Sequence, residues 1–136
     1  DIRIKAGSAE HDLPLQKLFQ LGGFGTLNGF RYKEFSGDRM VLGNFEYVLS
    51  PSLFGHDFLF FDDLSFIIFS DVGTAWYTTD RQDLISGFDQ LHWNNLKTGI
   101  GIGIADTQDH CRLTLAKRTD SGNGPYEFSI RLSKPF

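Results

Sequence analysis

Period-two alternation of apolar and polar side chains recurs along this chain, and the 3.6-residue period of a helix is scarce. In DIRIKAG, Ile2 and Ile4 oppose Arg3 and Lys5. In RMVLGNFEYVL, Val41, Phe45, Tyr47 and Leu49 oppose Asn44 and Glu46. LSFIIFSDVGTAWY is nearly continuous in apolar character, as a strand covered on both sides would be. LKTGIGIGIA sets Leu96, Thr98, Ile100, Ile102 and Ile104 against Lys97, Gly99, Gly101, Gly103 and Ala105. CRLTLAK sets Leu113 and Leu115 against Arg112, Thr114 and Ala116, and YEFSIRLSKPF sets Tyr126, Phe128, Ile130 and Leu132 against Glu127, Ser129, Arg131 and Ser133. Neighbouring side chains of a strand point to opposite faces, so six strands with one oily side are expected. The last three are closely spaced, which predicts an antiparallel meander. The turn-rich segments SGDR, TTDRQDLISGFDQ and RTDSGNGP separate the strands. SPSLFGHDFLFFDD is too apolar for a solvated loop and reads as a short helix or a hairpin extension.

An all-β sheet of this kind has two homes. In a soluble sandwich or small barrel the apolar face points inward, whereas in a transmembrane barrel it points outward to lipid. At 136 residues, 40% hydrophobic and 22% charged, with net charge -4, the chain is one folded domain or part of one. No basic stripe marks a nucleic-acid partner. There is no run of the roughly 18 apolar residues that a spanning helix needs, but a barrel strand needs only about ten of alternating character. The opening DIRIKAG has no initiating Met, basic region or apolar leader, and reads as a processed or excised piece.

Two features favour the membrane. Aromatic residues gather near strand ends (Trp76, Tyr77, Trp93, Tyr126 and Phe136), where interfacial girdles sit. The row Gly99, Gly101, Gly103 would leave a void in a soluble core, but glycine in a strand suits close approach of another backbone. The glycine-studded, apolar loop GGFGTLNGFRY, from Gly22 to Tyr32, is the candidate for that approach. By itself Asn28–Gly29 is also an ordinary hairpin-turn signal.

Candidate chemistry is thin. Asp71 lies in an apolar strand with no His or second carboxylate at a useful spacing, so it reads as a structural wall carboxylate, and Glu46 reads alike. The glycines of GIGIGIAD do not have the spacing of a nucleotide-binding loop. His11, His56, His92 and His110 lack metal-ligand spacing, and the single cysteine, Cys111, reads as an inert strand thiol. No catalytic residues, cofactor or metal are expected.

The run LGGFGTLNGFRYKEFSGDRMVLGNFEY resembles the C-terminal barrel of the bacterial surface antigen superfamily, whose members include outer-membrane protein assembly factors and two-partner-secretion transporters. The family pattern is a double-Gly loop, an Arg-Gly-aromatic tip, and a strand with Asn-x-Glu-Tyr. Here these are Gly22–Gly23, Asn28–Gly29–Phe30, and Asn44–Phe45–Glu46–Tyr47. FIIFSDVGTAW resembles the family's next strand at Phe69, Asp71 and Gly73, and LKTGIGIGI its glycine-rich penultimate region. The end, with Tyr126, Phe128, Ile130, Leu132 and Phe136 alternating toward a terminal aromatic, resembles an outer-membrane insertion signal.

The resemblance implies an all-β antiparallel meander forming a transmembrane β-barrel, or the C-terminal part of a sixteen-stranded one, with residues 1–136 as one domain. A long loop, at about 8–37, would fold into the lumen, its tip pairing with Asp71 and perhaps Glu46 on the wall. At the tip this chain has Asn28 where the family has Arg. An amide hydrogen-bonds a carboxylate without the charged, bidentate contact of a guanidinium, and Arg31 is the candidate substitute. The implied partners are the lipid bilayer, missing barrel strands or other copies of the chain, and client polypeptides. The alternative left by the residues alone is a small soluble barrel or sandwich binding an apolar ligand.

Overall fold

A computed structural model of the chain describes residues 1–9, 14, 17–49, 64–79, 85–106, 108, 110–121 and 124–133. The segment 50–63, expected as a helix or hairpin extension, lies outside the described residues, as do His11, His56 and Phe136.

Among the described residues, eight strands form two sheets: β1 (Ile2–Ser8), β2 (Phe19–Leu21), β3 (Phe35–Gly37), β4 (Arg39–Leu49), β5 (Leu64–Trp76), β6 (Lys97–Asp106), β7 (Cys111–Arg118) and β8 (Tyr126–Leu132). Six of them make one sheet in the order β1-β4-β5-β6-β7-β8, every pair antiparallel. These six are the expected strands, five from their alternation and β5 from its nearly continuous apolar run. The sheet is not closed, and β1 and β8 are its edges. No helix among the described residues is long and apolar enough to cross a membrane, a statement that leaves strand crossings untouched.

The pair β2 and β3 forms a separate two-stranded ribbon within the loop that joins β1 to β4, with Phe19 opposite Gly37 and Leu21 opposite Phe35. Sequence alternation did not reveal it, because three residues are too few to show a period.

Register sorts the side chains by face. On the outer face Phe45, Ser70, Ile100 and Lys117 follow one another across β4 to β7, and Ile68, Ile102, Leu115 and Phe128 across β5 to β8. These apolar side chains are exposed, Ile102 by 60% and Ile100 by 54%. On the inner face lie Asn44, Asp71, Gly99 and Arg118, with Phe69, Gly101 and Ala116 in the row beside them. Ile67, Phe69, Ala105 and Ala116 make one core cluster, and Leu21, Leu27, Phe30 and Leu42 make another, with Phe35, Met40 and Ala75 packed against it. The second cluster joins loop to wall. Each fully buried Leu or Phe contributes about 1.5–3 kcal/mol, so burial alone strongly favours the loop lying on the sheet.

Candidate functional site: the docked loop

The loop holds its shape through its own backbone. Gly23 N–H donates to Leu27 O at 3.0 Å and Lys33 N–H to Gly22 O at 3.1 Å. The Thr26 hydroxyl accepts from Gly22 N–H at 2.9 Å and donates to Gly23 O at 3.2 Å. Gly22 has φ 115°, and a Cβ there would collide with the Arg31 carbonyl. The double-Gly turn is thus sterically required where the loop's two limbs meet.

At the tip, Asn28 meets Asp71. Its backbone N–H donates to Asp71 Oδ2 at 3.0 Å and its side-chain amide to the same oxygen at 2.8 Å. Asn44 of β4 completes the arrangement: its amide donates to Asp71 Oδ1 at 2.6 Å and to Thr26 O at 2.6 Å. One wall carboxylate therefore gathers two asparagines, and one of those asparagines also holds the loop backbone. Asn44 stood in the motif and on the same parity as Glu46, which was the available signal. The side-chain carbonyl oxygens of Asn28 and Asn44 are buried and have no hydrogen-bond partner.

Glu46 is engaged from a different direction. Arg112 of β7 clasps it through Nη1–Oε2 at 2.8 Å and Nη2–Oε1 at 3.0 Å. Arg31 is exposed, and its backbone N–H donates to Glu34 Oε2 at 2.8 Å. Asn28, Asn44, Glu46, Asp71, Arg112 and Arg131 border a polar cavity of about 340 Å³ between the tip and the inner face.

The three glycines of β6 meet three different neighbours. A Cβ on Gly99 would lie 2.7 Å from Asn28 O, so this glycine admits the loop tip. A Cβ on Gly101 would strike the Phe69 ring, which lies over it from the neighbouring strand. A Cβ on Gly103 would meet Leu113 O at 3.0 Å and the Thr114 methyl at 3.1 Å. Gly29 matches Gly99 from the loop side: with φ 85°, its Cβ would lie 3.0 Å from the Lys117 carbonyl carbon and 3.1 Å from Arg118 N.

Phe30 is 2% exposed and meets Phe35 edge to face, ring centroids 5.5 Å apart. Tyr126, Phe128, Ile130 and Leu132 project from the outer face of β8. Of the expected girdle residues, Tyr77, Trp93 and Tyr126 are exposed, whereas Trp76 donates its Nε1–H to Gly87 O at 3.0 Å and packs edge-on against Phe88. Cys111 is exposed.

No curated protein matches the chain. A family model described as the Omp85 superfamily domain matches residues 2–135. That match spans the whole six-stranded meander and the loop returned onto it. The chain belongs to the Omp85 superfamily, a family of outer-membrane protein insertion and translocation.

Proposed function

We propose that this chain is the C-terminal portion of an outer-membrane β-barrel that inserts or translocates client polypeptides without catalysing bond chemistry. The observation that carries the reading is the division of faces. The exposed face is dominated by Ile, Leu, Phe and Val, while polar side chains and the docked loop share the other. Such a sheet suits acyl chains outside and a lumen inside. Within this chain Ile100 and Ile102 are not shielded by protein, as an apolar-ligand barrel would require.

In lipid the open edges of β1 and β8 call for pairing, because an unsatisfied backbone group in hydrocarbon costs several kcal/mol. Further strands of the barrel, or other copies of the chain, supply it. Residues 22–32 then lie in the lumen, where their tip on Asp71 occupies the route a client would share. Tyr126, Phe128, Ile130 and Leu132, with Phe136 beyond them, form the insertion signal of the final strand. Nucleic acid and cofactors play no part.

Reconstitution tests this. Liposomes carrying the full-length protein should speed the folding of an unfolded barrel client, read as the gain of protease-resistant, heat-modifiable protein, and Asp71→Ala should lower that rate. Folding no faster than in empty liposomes would overturn the proposal.

A further inference from the structure

The contact between loop and wall at Asn28 is uncharged on the loop side, yet the loop is not held by neutral contacts alone. Where it leaves the tip, Phe30 presents a ring face to Arg118 of β7, whose guanidinium carbon stands 4.6 Å from the ring centroid. The same guanidinium lies 3.5 Å from Glu34 Oε1 of the loop. The other Glu34 oxygen accepts the Arg31 N–H, so this carboxylate ties the loop's own turn to the wall cation. Lys97 of β6 stands 6.0 Å over the Phe35 ring, the edge-to-face partner of Phe30.

Both cations are oriented by one residue whose hydrogen bonds and ion pairs go to the wall. Asp120, in the turn after β7, accepts Arg118 Nε–H at 3.0 Å and Nη2–H at 3.1 Å, and Lys97 Nζ lies 3.1 Å from its Oδ2. That turn is fixed in turn by Thr119, which bonds Thr98 through backbone at 2.7 Å and through hydroxyls at 2.8 Å. A forked guanidinium held along one edge by two hydrogen bonds to a carboxylate keeps its plane fixed. Stacked on a ring that is nearly fully buried, it is partly desolvated, the condition in which a cation–π contact is strongest.

We infer that Arg118, aimed by Asp120 and assisted by Lys97, is a wall-borne cationic latch that holds the loop through Phe30 and Glu34. Relative to a tip carrying its own guanidinium, the polarity of the contact is reversed: the wall brings the cation, and the loop brings the ring and the anion. Arg118 sits two strands beyond Asp71, across Gly99 of β6, so loop release requires two separate openings. This inference goes beyond the proposed function, since it concerns what holds the loop whether or not the barrel moves polypeptides.

Hydrogen exchange of the full-length protein in detergent micelles or lipid nanodiscs tests it. Arg118→Gln should raise exchange over residues 22–34 by roughly three- to tenfold while β5 and β6 keep their protection, the range that one such contact and its ion pair support. Arg118→Lys should restore part of the protection, keeping the charge without the fork. Asp120→Asn should loosen the loop although the hydrogen bonds and ion pairs of Asp120 go to the wall. In a double-mutant cycle, Arg118→Gln should add little to Phe30→Leu. Unchanged exchange in Arg118→Gln, a uniform rise over the whole sheet, or full additivity with Phe30→Leu would each overturn the latch. Should Arg118→Gln fail to fold, exchange in Arg118→Lys and in Asp120→Asn decides: loop-specific loosening supports the latch, and exchange equal to the unaltered protein refutes it. None of these outcomes alters client folding in liposomes carrying the unaltered protein, so the two readings fail separately.

Discussion

Arg112 holds Glu46 by two hydrogen bonds of 2.8 and 3.0 Å although two strands lie between them. Neighbouring strands are about 4.8 Å apart, so β4 and β7 would stand about 14 Å apart in a flat sheet. The pair closes over the inner face because the sheet curls toward that side, as a segment of barrel wall does.

Removing one partner should therefore expose the pair's contribution to the curl. Arg112→Ala leaves the Glu46 carboxylate half-buried and is expected to destabilise the folded protein by about 1–3 kcal/mol, the range of charge-assisted hydrogen bonds. Denaturant unfolding in detergent measures it. The exchanged pair, Glu46→Arg with Arg112→Glu, should recover part of the loss; no recovery would mean that the two residues matter singly.

The tip contacts predict an order of effects. Asn28→Ala deletes one hydrogen bond and leaves the Asn28 backbone N–H on Asp71. Asp71→Ala deletes both and also removes one of the two acceptors of the Asn44 amide, which keeps Thr26 O. Loop opening should become easier by about 1 kcal/mol in the first and by more in the second. Limited proteolysis within residues 22–32 reads the difference, and equal effects would contradict the shared-carboxylate geometry.

The glycine row should separate into two phenotypes. Gly99→Ala pushes on Asn28 O and should loosen the loop while the sheet keeps its stability. Gly101→Ala pushes on the Phe69 ring and should destabilise the sheet by about 1–3 kcal/mol, the usual scale of overpacking. Phe69→Leu should relieve only part of it, because the Leu115 carbonyl also lies 2.6 Å from the added Cβ. Thermal melts of the three proteins check the scheme.

This division marks how far the sequence could be read. A period of two identifies a strand and its faces without any knowledge of neighbours, and a nearly continuous apolar run marked β5, so the six long strands and the outward isoleucines were legible. The resemblance in the motifs pointed to a returned loop, and Gly99 meets it. What Gly101 and Gly103 face depends on register: Phe69 reaches Gly101 only because the two residues are paired across β5 and β6. Arg112 and Glu46 are 66 residues apart and meet through curvature, which alternation does not encode. Asn44 was overlooked in favour of the charged Glu46, although it is the amide that bridges wall and loop.

Acid should weaken the latch in a definite window. The Arg118 hydrogen bonds, foremost, hold the Asp120 carboxyl below the usual aspartate range, against a burial effect that raises it. A depressed folded-state pKa means the stabilisation is complete above the unfolded value, about 3.9, and fades as pH falls through the lower folded value. The loop of the unaltered protein should thus be better protected than that of Asp120→Asn between about pH 7 and pH 5, with the gap closing below about pH 4. Exchange corrected for its intrinsic pH dependence tests this, and a gap constant to acid would contradict it.

The orientation of the sheet is tested most directly by lipid-depth quenching. In a Cys111→Ser background, a fluorophore is placed on Ile102→Cys or on Thr114→Cys, and the protein is reconstituted with doxyl-labelled lipids. Strong quenching at 102 and weak quenching at 114 is the expected result; weak quenching at 102, with access to an aqueous quencher, would contradict a lipid-facing outer surface.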